Sequence, residues 1–119
     1  MNNKYRVWWI PQVGMREHFI VPVSSPEEGR KVLDILGAYD LFQLQHNVKP
    51  DFCNTGNIEM WDEEEQAWVD WYLETEDMYY DDIDDYCNSD DCPQTNELKE
   101  FNESMYGQIN FETITLMYG

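Results

Sequence analysis

Apolar and polar residues change rhythm several times along the chain, and each change predicts an element. Tyr5-Arg6-Val7-Trp8-Trp9-Ile10 is aromatic and β-branched and is followed by Pro11, which lacks a backbone donor, so a strand is predicted over Tyr5–Ile10. Gly14 and Met15-Arg16-Glu17 permit a reversal into a second strand, His18–Val23, with Pro22 marking an edge or a strand end. Ser25-Pro26-Glu27-Glu28 is the clearest local signal: a serine N-cap, proline at the first helical position, and Glu28 reaching back as a capping box. In the helix that follows, Val32, Leu33, Ile35 and Leu36 recur at helical spacing while Arg30, Lys31 and Asp34 lie off that stripe. The stripe is therefore expected to pack on the sheet. Gly37 is read as an end or kink, with a second helical segment reaching about Gln45 before Lys49-Pro50 forbids continuation.

Farther on, Asn54-Thr55-Gly56-Asn57 reads as a turn and Ile58-Glu59-Met60-Trp61 as a strand of period two. Asp62-Glu63-Glu64-Glu65-Gln66 is an acidic loop, and Ala67–Leu73 the return strand of a second hairpin. That strand places Val69, Trp71 and Leu73 on one face and Trp68, Asp70 and Tyr72 on the other. From Glu74 to Asp91, acids alternate with Tyr79, Tyr80, Ile83 and Tyr86, a pattern that settles neither helix nor strand. A loop over Asn88–Pro93, a short helix capped by Thr95 or Asn96 and running through Met105, and a final alternating strand over Gln108–Leu116 complete the reading. No internal repeat is visible. The predicted class is α+β: one small domain over residues 1–119, a mostly antiparallel sheet with helical segments packed on one face.

Charge sharpens this picture. Residues 50–98 contain no Lys or Arg and seventeen Asp or Glu, so the acidic, aromatic-rich segment at about 62–91 lies inside the block that dominates a net charge of −18. Low mean hydropathy with such a charge ordinarily signals disorder, but five Trp, eight Tyr and five Phe supply the apolar surface of a folded core. Like-charge repulsion excludes direct binding to nucleic acid and to anionic membrane faces. The absence of a long apolar run or a secretory pattern points to the cytoplasm. Cys53, Cys87 and Cys92 make an odd count and are read as free thiols; with His18 and His46 they have no recognised zinc spacing.

No side-chain pattern indicates catalysis. Neither histidine sits in a nucleophile motif, no glycine loop fits a phosphate, and carboxylate pairs are too numerous to single one out. The run Asp81–Asp91 lacks the alternating ligands, sixth-position glycine and terminal glutamate of an EF-hand. The chain is accordingly read as a non-enzyme with no cofactor and no dedicated metal. Carboxylates on a scaffold can instead present rows of negative charge to a protein with a basic surface. On a strand Asp82 with Asp84, and Glu63 with Glu65, would lie about 6.5–7 Å apart on one face. On a helix Asp81 would neighbour Asp85, or Asp77 would neighbour Asp81. The contact candidates are Asp62, Glu63, Glu64, Glu65, Asp77, Tyr79, Tyr80, Asp81, Asp82, Asp84 and Asp85, with Trp61, Trp68 and Tyr86 as further aromatic anchors. A solvated face that only keeps the protein soluble is the plain alternative. A small-ligand sponge, built from Trp8, Trp9, Arg6, Arg16 and Arg30, and a homo-oligomer are further alternatives.

Tyr5–Val13, Ser25-Pro26-Glu27-Glu28-Gly29, Tyr39-Asp40-Leu41-Phe42-Gln43, Asn47–Asp51 and Trp68-Val69-Asp70-Trp71-Tyr72 resemble a family of small acidic bacteriophage proteins. Some members of that family are labelled superinfection exclusion protein. The likeness covers about residues 5–85 and brings no catalytic motif. It implies a viral accessory role in the host cytoplasm. With the charge pattern, it leads to the expectation of a nucleic-acid-mimic-like inhibitor of a host defence or nucleic-acid-binding protein.

Overall fold

The computed structural model describes residues 4–12, 14, 16–46 and 54–118. Strands β1 (Tyr5–Ile10) and β2 (Phe19–Val23) form the expected hairpin, followed by helix α1 (Pro26–Gln45) and strands β3 (Thr55–Asp62) and β4 (Ala67–Asp70). These four strands make one antiparallel sheet in the order β2-β1-β3-β4, so α1 carries the chain across β1 between the two strands flanking it. A short ribbon of β5 (Leu73–Glu74) and β6 (Tyr79–Tyr80) leads into helices α2 (Ile83–Cys87), α3 (Thr95–Tyr106) and α4 (Phe111–Tyr118). The architecture is α+β, as expected.

Alternation along the strands sorts the sheet into two faces. Val7, Trp9, Val23 and Ile58 are buried on the face that α1 covers. On the opposite face Arg6 pairs with Glu59 at 2.8 Å and its guanidinium lies 4.3 Å from the Trp68 ring centre, beside the edge-to-face Trp61–Trp68 pair. The main core lies where the chain after β4 folds back: Ile58, Trp71, Tyr80, Ile83, Tyr86, Cys87, Cys92 and Leu98 pack together, with Tyr5, Leu33, Met60 and Leu73 around them. Most of these core residues come from the acidic block. Its core side chains turn inward while most of its carboxylates turn out, and this partition lets so charged a segment fold.

Five expectations require correction. Asn54–Asn57 is not a separate turn: β3 begins at Thr55, and Gly56 lies opposite Trp9, where a Cβ would meet the Trp9 ring and the Trp8 carbonyl oxygen. Gly37 does not end α1, which runs on to Gln45, and its bare Cα accommodates the Tyr106 hydroxyl of α3. The return strand stops at Asp70, and Leu73-Glu74 pairs instead with Tyr79-Tyr80. Gln108–Leu116 contains no strand; apart from an unpaired lead-in it is the helix α4. Finally, Ser25 does cap α1, its Oγ accepting from Glu28 N at 3.1 Å, but Glu28 reaches Ser24 N and Oγ rather than the Ser25 amide. Cys53, Met15 and the Lys49-Pro50 stop lie outside the described residues; Cys87 and Cys92 are buried free thiols.

Candidate functional site

Helix α1 positions the site because its polar residues face other elements. The stripe expected to face the sheet is turned outward at Ile35, while Asp34, from the supposed polar side, is buried. Small Gly29 and Gly37 let neighbours approach the helix, and polar residues from Glu27 to Asp34 tie it to α2 and α3. Glu27 accepts from the Tyr86 hydroxyl at 3.0 Å. Arg30 donates through Nε to Asp34 Oδ1 at 3.2 Å and pairs through Nη1 with Asp84 at 2.6 Å. Lys31 reaches Glu97 at 2.9 Å, and Asn102 donates to Asp34 Oδ1 at 3.1 Å.

Together these ties frame a cleft of about 630 Å³. Trp9, Asn54, Gly56 and Asn57 of the sheet form one wall, Arg30, Leu33, Asp34 and Gly37 of α1 the floor. The Asp81–Asp84 corner before and within α2 faces Asn102 and Tyr106 of α3. Burial pushes the Asp34 carboxyl above its ordinary pKa against the pull of Arg30 and Asn102. Burial opposes the Arg30 charge too, but Asp34 and Asp84 more than offset it and raise that pKa. The Tyr106 hydroxyl is raised by burial and then by the Asp34 charge. Outside the cleft, burial with Cys92 close by holds the Cys87 thiol up at about 12, which makes it a core residue rather than a nucleophile.

The proposed contact residues separate into two groups. Asp62 is a turn-former whose Oδ1 accepts from Glu64 N and Glu65 N, and Asp82 caps α2 by accepting from Asp84 N and Asp85 N. Asp84 is spent on Arg30. Tyr80 is buried, with its hydroxyl donating to Asp91 at 2.6 Å, and Tyr86 is core. Glu63, Glu64, Glu65, Asp77, Tyr79, Asp81 and Asp85 face solvent, with Tyr79 stacked on Tyr72 at 6.0 Å. Neither imagined row forms. Asp82 is extended but Asp84 is helical, so they do not share a strand face, and Asp77 and Asp81 precede the helix that would have aligned them. The hairpin turn at Asp62 lies about 17 Å along β3 from the cleft residue Asn57, so the two acidic regions sit at opposite ends of that strand.

The five sponge candidates do not converge either. Trp9 and Arg30 line the cleft, whereas Arg6 lies against Trp68 on the other face and Trp8 against His18. Asp34, Asn102 and Tyr106 escaped the sequence reading. The available signal was an acid among apolar helix positions, but nothing in the spacing tells a buried one from a solvated one.

Among the described residues no group of His, Cys, Asp and Glu could hold a metal ion, and no helix is long and apolar enough to cross a membrane. No solved structure matches the chain. A relative from Salmonella phage P22, named superinfection exclusion protein, is 43% identical over 97 residues, covering 72% of this chain and 91% of the relative. A family model described as superinfection exclusion gene product 17 matches residues 4–92, which takes in β1 to α2 and with them the sheet wall, the α1 floor and the acidic corner of the cleft. The chain therefore belongs to the superinfection exclusion gene product 17 family, a phage family with members named for superinfection exclusion.

Proposed function

We propose that the protein is a superinfection exclusion factor that works by occupancy, holding a host protein with a basic surface against its acidic side. Family membership supports exclusion. The observation that carries the mechanism is the partition of the acidic block: Trp71, Tyr80 and Tyr86 are in the core, and Glu63, Glu64, Glu65, Asp77, Asp81 and Asp85 stand in solvent. Such a surface steers a cationic partner quickly and with strong salt dependence, and it needs no catalytic group. Mimicry of a nucleic acid, in the sense of competing for a Lys- and Arg-rich groove in a host defence or nucleic-acid-binding protein, is the finer form of this reading. It places the encounter in the host cytoplasm.

The test is the plating efficiency of a superinfecting phage on host cells expressing the protein. A variant carrying Glu63→Gln, Glu64→Gln, Glu65→Gln, Asp77→Asn and Asp85→Asn spares the cleft and the ion pairs. Wild type should depress plating, and the variant should lose at least about tenfold of that effect. Exclusion by a folded variant at the wild-type level would remove the acidic surface from the mechanism; no exclusion by wild type would remove the function.

A further inference from the structure

The cleft differs from the exposed acids in one respect: its floor contains a carboxylate oxygen with nothing to bind. Asp34 is 5% exposed. Arg30 Nε and Asn102 Nδ2 both donate to its Oδ1, whereas Oδ2 is buried with no hydrogen-bond partner among the described residues; Arg30 Nη1, the other buried atom without a hydrogen bond, is held by its ion pair to Asp84. Buried polar atoms are normally paired, and because Asp34 lines the cleft its unpaired oxygen calls for a donor from outside. The lining also has four carboxylates, Asp34, Asp81, Asp82 and Asp84, against the one guanidinium of Arg30. Trp9 and Leu33 add apolar wall, and the volume falls within the usual ligand-pocket range of about 300–1,000 Å³. A complementary guest therefore brings positive charge, several donors and a flat face.

An ammonium carries three donors around a compact, strongly hydrated point. A guanidinium has five in one plane, is more weakly hydrated and lies well against aromatic rings. The site already shows this chemistry internally, since Arg30 spans from Asp34 on α1 to Asp84 on α2. We propose that the cleft is a guanidinium-binding site that takes an arginine side chain presented by a partner protein. Asp34 Oδ2 is the buried acceptor, and Asp81 is an acceptor at the rim. The identity of the guest rests on the occupancy reading above; the site itself does not.

The experiment titrates the full chain at low salt with N-acetyl-arginine methylamide, following the Arg30 Nε–H, Asn102 amide and Trp9 indole signals by NMR. N-acetyl-lysine methylamide and agmatine are the comparison probes. Saturable shifts at those three groups are expected, with the arginine compound binding more tightly than the lysine compound. Asp34→Asn should weaken binding at least about tenfold and Asp81→Asn about threefold, while Asp85→Asn, exposed and not part of the cleft lining, should change it less than about twofold. Should Asp34→Asn fail to fold, the contrast between Asp81→Asn and Asp85→Asn decides. Shifts spread over the exposed acids, equal binding of the lysine compound, or equal loss in Asp81→Asn and Asp85→Asn would overturn the site. Tighter binding of agmatine than of the blocked arginine would overturn the protein source of the guest. Plating efficiency is independent of this titration, so the site can stand where occupancy fails, and the reverse.

Discussion

At the scale of single residues, the buried Tyr86–Glu27 pair shows how an acidic chain can place a carboxylate in its interior. Glu27 lies in the first turn of α1, where the positive end of the helix dipole favours a negative charge, and the Tyr86 hydroxyl closes the site from α2. Burial and the bond to Glu27 both raise the Tyr86 pKa, so the phenol stays protonated and remains a donor. Tyr86→Phe keeps the ring contacts with Trp71 and Tyr80 and deletes only that donor. The expected loss in urea unfolding is about 1.5–3 kcal/mol, the range for hydrogen bonds to charged groups. A loss under about 0.5 kcal/mol would show that the helix end satisfies Glu27 by itself. None of this was legible in the sequence, where Tyr86 stood out as a possible surface anchor. A tyrosine flanked by aspartates reads as exposed until the helix that turns it inward is known.

At the scale of elements, β3 meets β1 closely because residue 56 has no side chain. A Cβ there would lie 2.7 Å from the Trp8 carbonyl oxygen, and a backbone atom in a paired strand cannot move aside cheaply. Gly56→Ala should therefore cost about 1–3 kcal/mol, measured as a lower urea midpoint with an unchanged slope. An unchanged midpoint would mean that β1 and β3 can separate locally without loss. The hairpin β1–β2 and the start of α1 were readable, since Pro11, Pro22 and Ser25-Pro26 act through local backbone chemistry. The facing of α1 was not, because α1 packs against the sheet, α2 and α3 together, and salt links replace a single apolar stripe. Gln108–Leu116 failed for a related reason: Ile109 with Phe111, and Ile114 with Leu116, each step by two as in a strand, and the break in phase between the pairs marks where α4, docked against α1, takes over. The cleft draws on five separate segments, so no stretch of sequence displays it.

For the whole molecule, the net charge of −18 is carried mainly by the same segment that builds the core, with its carboxylates at both ends of β3. The ion pairs Arg6–Glu59, Arg30–Asp34, Arg30–Asp84 and Lys31–Glu97 neutralise little of it. Screening should then stabilise the fold. Raising NaCl from about 20 to about 300 mM shortens the Debye length from ~20 Å to ~6 Å. The melting temperature should rise by about 4 °C, equivalent to ~1 kcal/mol for a domain of this size. A fall in melting temperature would mean that the few attractive pairs outweigh the many repulsive ones.

The family match ends at residue 92, just ahead of α3, yet α3 supplies Asn102 and Tyr106 to the cleft. The shared portion of the molecule thus provides the sheet wall, the α1 floor and the acidic corner, and a helix outside it closes the opening. A chain that shares only the matched portion would keep the sheet wall, the α1 floor and the acidic corner, and a different element in place of α3 would reshape the aperture without disturbing that scaffold.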